Sequence, residues 1–240
     1  MKTKILFMIV AGLGMVMSSC EIPNRVIPSG NLTTQVKYIS DYDAIEASNA
    51  FTVYVNFSEN EESIEIEADD NLQPYIEVRK VSGTLIIGLR NNINVRGNAT
   101  MRAYITTRQV TGYTASGASN FFIDNDLTAN AVNIHLSGAS YFGGYLNVNH
   151  VSISMSGASN VEIEGSTDSF DVSASGASNL GSYDFMADDL DVDLSGASNV
   201  WLTVNHELSV RASGASNVYY TGTGVVVSQN LSGASHIIKD

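Results

Sequence analysis

The sequence predicts an all-β fold, a right-handed parallel β-helix with rungs of about 19 residues. Three observations carry this. The tetrapeptide Ser-Gly-Ala-Ser occurs seven times, starting at Ser116, Ser137, Ser156, Ser175, Ser195, Ser213 and Ser232. The residues leading into each copy alternate apolar and polar. No repeat leaves room for a helix beside its strands. Self-similarity at so short a period marks a solenoid, in which each unit buries its apolar face against its neighbours.

The repeat glycines, Gly117, Gly138, Gly157, Gly176, Gly196, Gly214 and Gly233, are separated by 21, 19, 19, 20, 18 and 19 residues. Six, four and two residues before them stand triplets such as Val132, Ile134, Leu136 and Phe170, Val172, Ala174. The last triplet is Val227, Gln229, Leu231. Polar residues fill the gaps, as in Asp171-Val172-Ser173-Ala174, which is the pattern of a half-buried strand. Four residues after each glycine an apolar residue opens a second strand: Phe121, Phe142, Val161, Leu180, Val200, Val218, Ile237. Each repeat therefore reads as two short strands joined by corners, with one corner at Ser-Gly-Ala-Ser. Stacked rungs give parallel sheets, whose crossovers are right-handed. A hexapeptide solenoid would need an apolar residue at every sixth position, and a leucine-rich repeat its own leucine frame. Neither is present.

The corner has a physical reading. Glycine accepts a positive φ and lets neighbouring backbones approach. Alanine is expected to turn inward, where anything larger would strike the next rung. Serine hydroxyls can pair with corner groups that the ladders leave free. Asn120, Asn160, Asn179, Asn199 and Asn217 follow five corners and can stack into amide ladders. At the end of the chain Lys239 stands where other rungs carry Ile163 or Leu202, and a charge there ends a stack.

Residues 37–112 lack the tetrapeptide but keep the strand grammar. Phe51–Val55, Ile64–Glu67, Leu85–Leu89 and Ala103–Ile105 read as strands. Acidic and Asn-rich turns separate them. This part is expected to be an irregular opening to the solenoid at 113–240, with a separate small β subdomain as the other reading. Together they form a head domain over 37–240. Residues 20–36 contain Pro23, Pro28 and Gly30 and no period, so a tether is expected there.

The first 19 residues read as a secretion signal. Lys2 and Lys4 precede an uncharged run, Ile5 to Met17, that is too short to span a bilayer comfortably. Met17-Ser18-Ser19-Cys20 resembles the lipobox of bacterial lipoproteins. That resemblance implies that Cys20, the only cysteine, is the lipid-attached first residue of the mature chain. Glu21, rather than Asp, follows it and favours the outer membrane. The formal charge is −13, and removing Lys2 and Lys4 makes it more negative still. Such a surface repels nucleic acid and anionic headgroups.

The order of these features resembles the auto-transporter adhesin head GIN domain proteins common in Bacteroidetes. The carriers are the lipoprotein start, the Phe51–Val55 and Ile64–Asp70 strands, Asn71-Leu72, Leu85-Ile86-Ile87 and the Ser-Gly-Ala-Ser-Asn repeats. The resemblance covers roughly 37–240. It implies a β-helix head exposed at the cell surface, and it brings no catalytic residue to carry over.

Catalytic chemistry finds little purchase. No phosphate loop, nucleophile–base set or metal-spaced histidine pair stands out among His135, His150, His206 and His236. Alternation puts Asp189, Asp191 and Asp193 on one outward face, a weak candidate for a divalent cation. A charged strand face is more commonly solvated and resists edge pairing. Asp168 and Asp171 lie in the preceding rung and are expected to lack a basic partner. No cofactor is expected. Tyr141, Tyr145, Trp201 and Tyr219 alternate with inward positions and are expected to point outward. Aromatic faces stack on sugar rings or anchor proteins. The resulting expectation is a non-catalytic surface lipoprotein that binds a glycan or a host or envelope protein. A polysaccharide-active β-helix enzyme and a periplasmic envelope scaffold are the alternatives.

Overall fold

A computed structural model describes residues 24–240. The expected signal segment at 1–19 and the expected lipid attachment at Cys20 lie outside the described residues. The fold is a β-solenoid of about seven turns, 65% strand, with rungs about 19 residues apart.

The regular part stacks β12 (Leu127–Leu136), β13 (Tyr141–Met155), β14 (Asn160–Ala174), β15 (Asn179–Leu194) and β16 (Asn199–Ala212) in parallel. Equivalent residues lie above one another. Val132, Val151, Phe170, Leu190 and Leu208 form one buried column, and Ile134, Ile153, Val172, Val192 and Val210 the next. Each such side chain contributes about 1.5–3 kcal/mol through burial. The rungs are less broken than two short strands would be. From β13 to β16 each is a single strand of 14 to 16 residues. In β14 the inward set runs Val161, Ile163, Gly165, Thr167 and then Phe170, Val172, Ala174, so alternation slips by one at Asp168–Ser169. Gly165 has φ +111°, and a Cβ there would lie 2.0 Å from the Leu146 carbonyl oxygen. The rung can therefore turn while its ladder continues.

The corner inverts one expectation. The alanine is exposed, and the second serine turns inward: Ser119, Ser140, Ser159, Ser178, Ser198 and Ser216 are fully buried. A hydroxyl can satisfy the corner and a methyl cannot. Ser140, Ser159, Ser178, Ser198 and Ser216 each donate to the carbonyl of the corner's first serine at 2.7–3.0 Å. The glycines have φ of +60° to +81°. The alanine N–H donates at 2.7 Å to the glycine carbonyl of the rung before, as in Ala197 to Gly176. A Cβ on Gly157, Gly176, Gly196, Gly214 or Gly233 would sit 2.3–2.4 Å from that same carbonyl oxygen. The amide ladder forms: Asn179 donates to Asn160, Asn199 to Asn179, and Asn217 to Asn199, at 3.0–3.2 Å.

The opening part supplies rungs in a different chain order. β3 (Ala44–Ala47) and β4 (Thr52–Phe57) lie parallel to β10 (Gly112–Ala115) and β11 (Asn120–Ile123). β7 (Thr84–Leu89) and β9 (Met101–Thr107) lie on the other side of β3 and β4, also parallel. Their corner, Ser48-Asn49-Ala50, holds Asn49 and Ala50 at φ +61° and +62°, and the Ala50 N–H donates to the Gly117 carbonyl. Beyond this the pairing turns antiparallel. β6 (Ile76–Val81) pairs with β7, β5 (Ser63–Asp69) with β9, and β2 (Leu32–Lys37) with β5.

Two further expectations are corrected. The segment expected to be a tether is docked from Asn24 onward. β1 (Asn24–Val26) pairs with β8 (Ile93–Val95), and β2 lies within 20–36 except for Lys37. Backbone ladders and side-chain pairs hold it, including Gly30 N–H to Asp69 and Asn71 Nδ2 to the Ile27 carbonyl. None of these needs an apolar period. The last rung also departs from the pattern. β17 (Asn217–Thr221), β18 (Val225–Leu231) and β19 (His236–Lys239) end the stack, and every residue of β18 is exposed. A register shift puts Val226 rather than Val227 on Leu208, with Gln229 on Val210 and Leu231 on Ala212, and among the described residues no further rung covers them. Lys239 aligns with Tyr220 and Leu202, places Nζ 5.3 Å from the Tyr220 ring centre, and donates to the Gly224 carbonyl.

Candidate functional site

One outward column beside the corner is largely aromatic. Tyr104, Tyr54 and Phe122 occupy it in three successive rungs, followed by Gly143 and Glu162. Gly181, Trp201 and Tyr219 continue it toward the C-terminal end. Tyr104 and Tyr54 stack at 5.2 Å and 10°, and Tyr54 and Phe122 at 5.4 Å and 19°. Phe122 meets Tyr141 at 5.1 Å, and Trp201 lies on Tyr219 at 5.5 Å and 6°. The result is a run of four rings and a run of two.

Two glycines let the rings lie back against the sheet. Tyr141 belongs to the neighbouring column, aligned with Asn120 and Asn160, yet its ring covers Gly143. A Cβ on Gly143 would lie 2.5 Å from the Tyr141 hydroxyl oxygen, and one on Gly181 would lie 2.9 Å from Cε3 of Trp201.

Between the two runs the ladder itself is interrupted. The register of β14 on β15 slips after Val161–Leu180, and that of β15 on β16 after Gly181–Trp201. The rung between Gly176 and Gly196 is one residue longer than its predecessor, and Ser182-Tyr183-Asp184 falls outside both ladders. Such irregularities re-aim side chains. A groove of about 620 Å³ opens there, with Tyr141, Tyr145, Glu162, Glu164 and Gly181 in its wall. A second hollow of about 360 Å³ shares Glu162 and Gly181 and reaches Asn179, Tyr183 and Trp201.

The hollows are acidic and hydroxyl-rich. No lysine, arginine or histidine lines them among the described residues. The Tyr141 hydroxyl donates to Glu162 at 3.1 Å. Partial burial, with the Glu162 carboxylate second, pushes the phenol up to about 12. Burial raises the Asp124 carboxyl, which also borders the groove.

The four aromatic residues picked out in the sequence do share this face. Tyr141, Trp201 and Tyr219 are half-buried by stacking, and Tyr145 stands 46% exposed at the groove. Sequence reasoning missed Tyr54, Tyr104, Phe122 and the glycine floor. The signal was present in Phe51–Val55 and Ala103–Ile105, whose alternation turns Tyr54 and Tyr104 outward. Asp189, Asp191 and Asp193 also share an outward face, but basic side chains engage them. Arg211 lies 3.4 Å from Asp191 and 3.6 Å from Asp193, and His206 Nδ1 lies 2.6 Å from Asp189. Among the described residues no group of three or more His, Cys, Asp or Glu side chains is arranged to hold a metal. Asp171, expected to lack a basic partner, has His150 at 3.4 Å. A partner one rung away is invisible to spacing along a single strand.

The model of the family described as "Putative auto-transporter adhesin, head GIN domain" matches residues 41–224. The chain belongs to this family. The match begins within the opening part of the GIN head and runs to Gly224, so it spans both the irregular and the regular rungs. Solved structures agree in fold. A putative adhesin from Bacteroides fragilis superposes with a TM-score of 0.78 at 20% identity, covering 89% of this chain and 97% of its own. A putative lipid binding protein from Parabacteroides distasonis gives 0.74 at 18% identity, covering 90% and 100%. A putative adhesin from Parabacteroides merdae gives 0.70 at 19%, covering 90% and 99%. No curated protein matches the GIN head described here.

Proposed function

We propose that this GIN head is a non-catalytic binding module, carried at the cell surface on a lipid attached to Cys20, and that it grips a glycan or protein partner with its aromatic face. The observation behind this is the interrupted aromatic column. Six rings on one outward face are costly to leave in water unless something else uses them. Membership in an adhesin-described family supports the same reading. The lipid-binding description of one structural neighbour finds less support here, because carboxylates and hydroxyls wall the hollows.

Protease shaving of intact cells tests the placement. Loss of the full-length chain from shaved cells is the expected result. Complete protection would sink the surface reading and favour a periplasmic scaffold. Metabolic labelling with a fatty acid, lost on Cys20→Ala, tests the anchor. Adhesion of cells carrying Trp201→Ala with Tyr219→Ala tests the face: unchanged adhesion would count against it.

A further inference from the structure

We infer that the break between the two aromatic runs is a subsite for an uncharged oligosaccharide of at least two pyranose units, lying along the solenoid axis. This rests on the proposed binding role of the aromatic face and names its occupant.

Ring geometry makes the break different from the rest of the face. Inside a stack each ring covers its neighbour, so Tyr54 and Phe122 offer solvent mainly their edges. Free faces remain where a run stops. Tyr141 is covered by Phe122 on one side, and Trp201 by Tyr219 on one side. On the other side Tyr141 and Trp201 border the two hollows, with Glu162 and Gly181 between them. Three rung spacings separate the Gly143 and Trp201 rungs, about 14 Å at the usual strand distance. That length leaves room for a pair of linked pyranose rings between the two aromatic side chains. The apolar C–H face of a pyranose packs on an aromatic ring, and its rim of hydroxyls needs hydrogen-bond partners.

Those partners surround the gap. Glu162 and Glu164 accept from hydroxyls, and the side chains of Asn160, Asn179 and Ser182 can donate or accept. Gly181 keeps the floor low. The charge selects among glycans. With carboxylates in the wall and no cation among its lining residues, the gap repels uronates, sialic acids and sulfated or phosphorylated sugars. A protein partner would instead spread over the whole column, Tyr54 and Tyr104 included.

The test uses the full-length chain on an array of neutral, sialylated, uronate and sulfated oligosaccharides, followed by titration of the hits. Trp201 is the only tryptophan, so its fluorescence reports on the gap directly. The expected result is binding of neutral oligosaccharides of two or more units, with a change in Trp201 emission. Trp201→Ala and Tyr141→Ala should each weaken binding by about tenfold or more, while Tyr38→Ala, an exposed aromatic outside the column, stays within about twofold. Trp201→Phe, which keeps a ring on Tyr219, should recover part of the loss. Unchanged melting of each variant would confirm that folding is intact. No neutral binding at about 10 mM, binding of acidic glycans alone, or equal sensitivity to Tyr38→Ala would overturn the subsite. If cell adhesion still depends on Trp201 while no glycan binds, the aromatic face stands and its saccharide occupant falls. Release of shortened sugars during the titration would overturn the non-catalytic reading.

Discussion

The regular rungs at 113–240 and the opening part at 24–112 build the same sheet by opposite means. In the regular part the chain climbs one rung per repeat, and each corner reuses the same four residues. In the opening part the chain crosses its own path. Residues 84–107 lie outside residues 44–57, and antiparallel strands then pair along the edge. The regular part depends on identity between neighbours. From Gly157 onward each corner glycine lies so close to the rung before that a Cβ on it would meet that rung's backbone carbonyl. The opening part depends on particular long-range pairings, and its corner uses Asn49 where the repeats use glycine. The two ends differ accordingly: one is finished with antiparallel strands, while at the other, among the described residues, β18 pairs along one edge only, with β16.

Core substitutions should show the largest contrast. Leu190→Ala lies mid-stack, fully covered, and should cost about 2–5 kcal/mol in urea unfolding. Val227→Ala, in the uncovered last rung at 52% exposure, should stay within about 0.5 kcal/mol. A large loss at Val227 would mean that something covers the last rung in solution. Corner substitutions come next. Gly196→Ala combines a φ of +77° with a Cβ placed 2.4 Å from the Gly176 carbonyl oxygen. It should cost more than the roughly 1–2 kcal/mol of left-handed strain alone. Gly30→Ala, at φ +79° with nothing within 4 Å of its Cβ, should cost only that strain. The difference between the two melting shifts isolates the contribution of close stacking.

A smaller contrast sits at the boundary between the two parts. Ser178 donates its hydroxyl to the Ser175 carbonyl at 3.0 Å, and Ser178→Ala should cost about 1 kcal/mol. Ser119, in the first corner, is equally buried, but its hydroxyl finds no partner among the described residues. Ser119→Ala should therefore be neutral or slightly stabilising. Equal losses at both sites would show that the first corner is satisfied like the others.

These same particulars mark what could be read from sequence. The solenoid, its rung length and the inward columns followed from a recurring tetrapeptide and strict alternation, because in a stack like residues meet like. Which small residue faces inward did not follow. Alanine and serine are both small enough, and the choice depends on a corner carbonyl that only the folded backbone presents. The docking of residues 24–37 escaped notice because it relies on backbone pairing across about forty residues of chain, as in Leu32 with Asp69. The site was half legible. Tyr141, Trp201 and Tyr219 sit in the repeats and could be aligned. Tyr54 and Tyr104 come from strands whose stacking order is not their chain order. The gap between the rings comes from Gly143, Glu162 and Gly181 in the column, and the extra residue in one rung shifts the ladder beside it.

The polar latches of the two parts should also respond differently to pH. In the opening part Arg102 donates to Glu67 at 2.9 Å; the bond raises the pKa of a guanidinium that is already charged at any accessible pH. In the regular part His206 faces Asp189, Glu207 and Asp188. The hydrogen bond to Asp189 is the main reason its imidazolium is held above the ordinary histidine range. A raised folded value means that the fold binds the proton more tightly than the unfolded chain does. The stabilising contribution is then fully present below the unfolded value, about 6.5, and is lost as pH rises through the higher folded value. Because His206 is exposed, the effect on stability should be slight, and the clearer readout is a titration of the His206 ring protons by NMR. Asp189→Asn should return that titration toward the ordinary value, whereas Glu67→Gln in the opening part should leave it where it was. A His206 midpoint indifferent to Asp189→Asn would show that the 2.6 Å contact does not persist in solution.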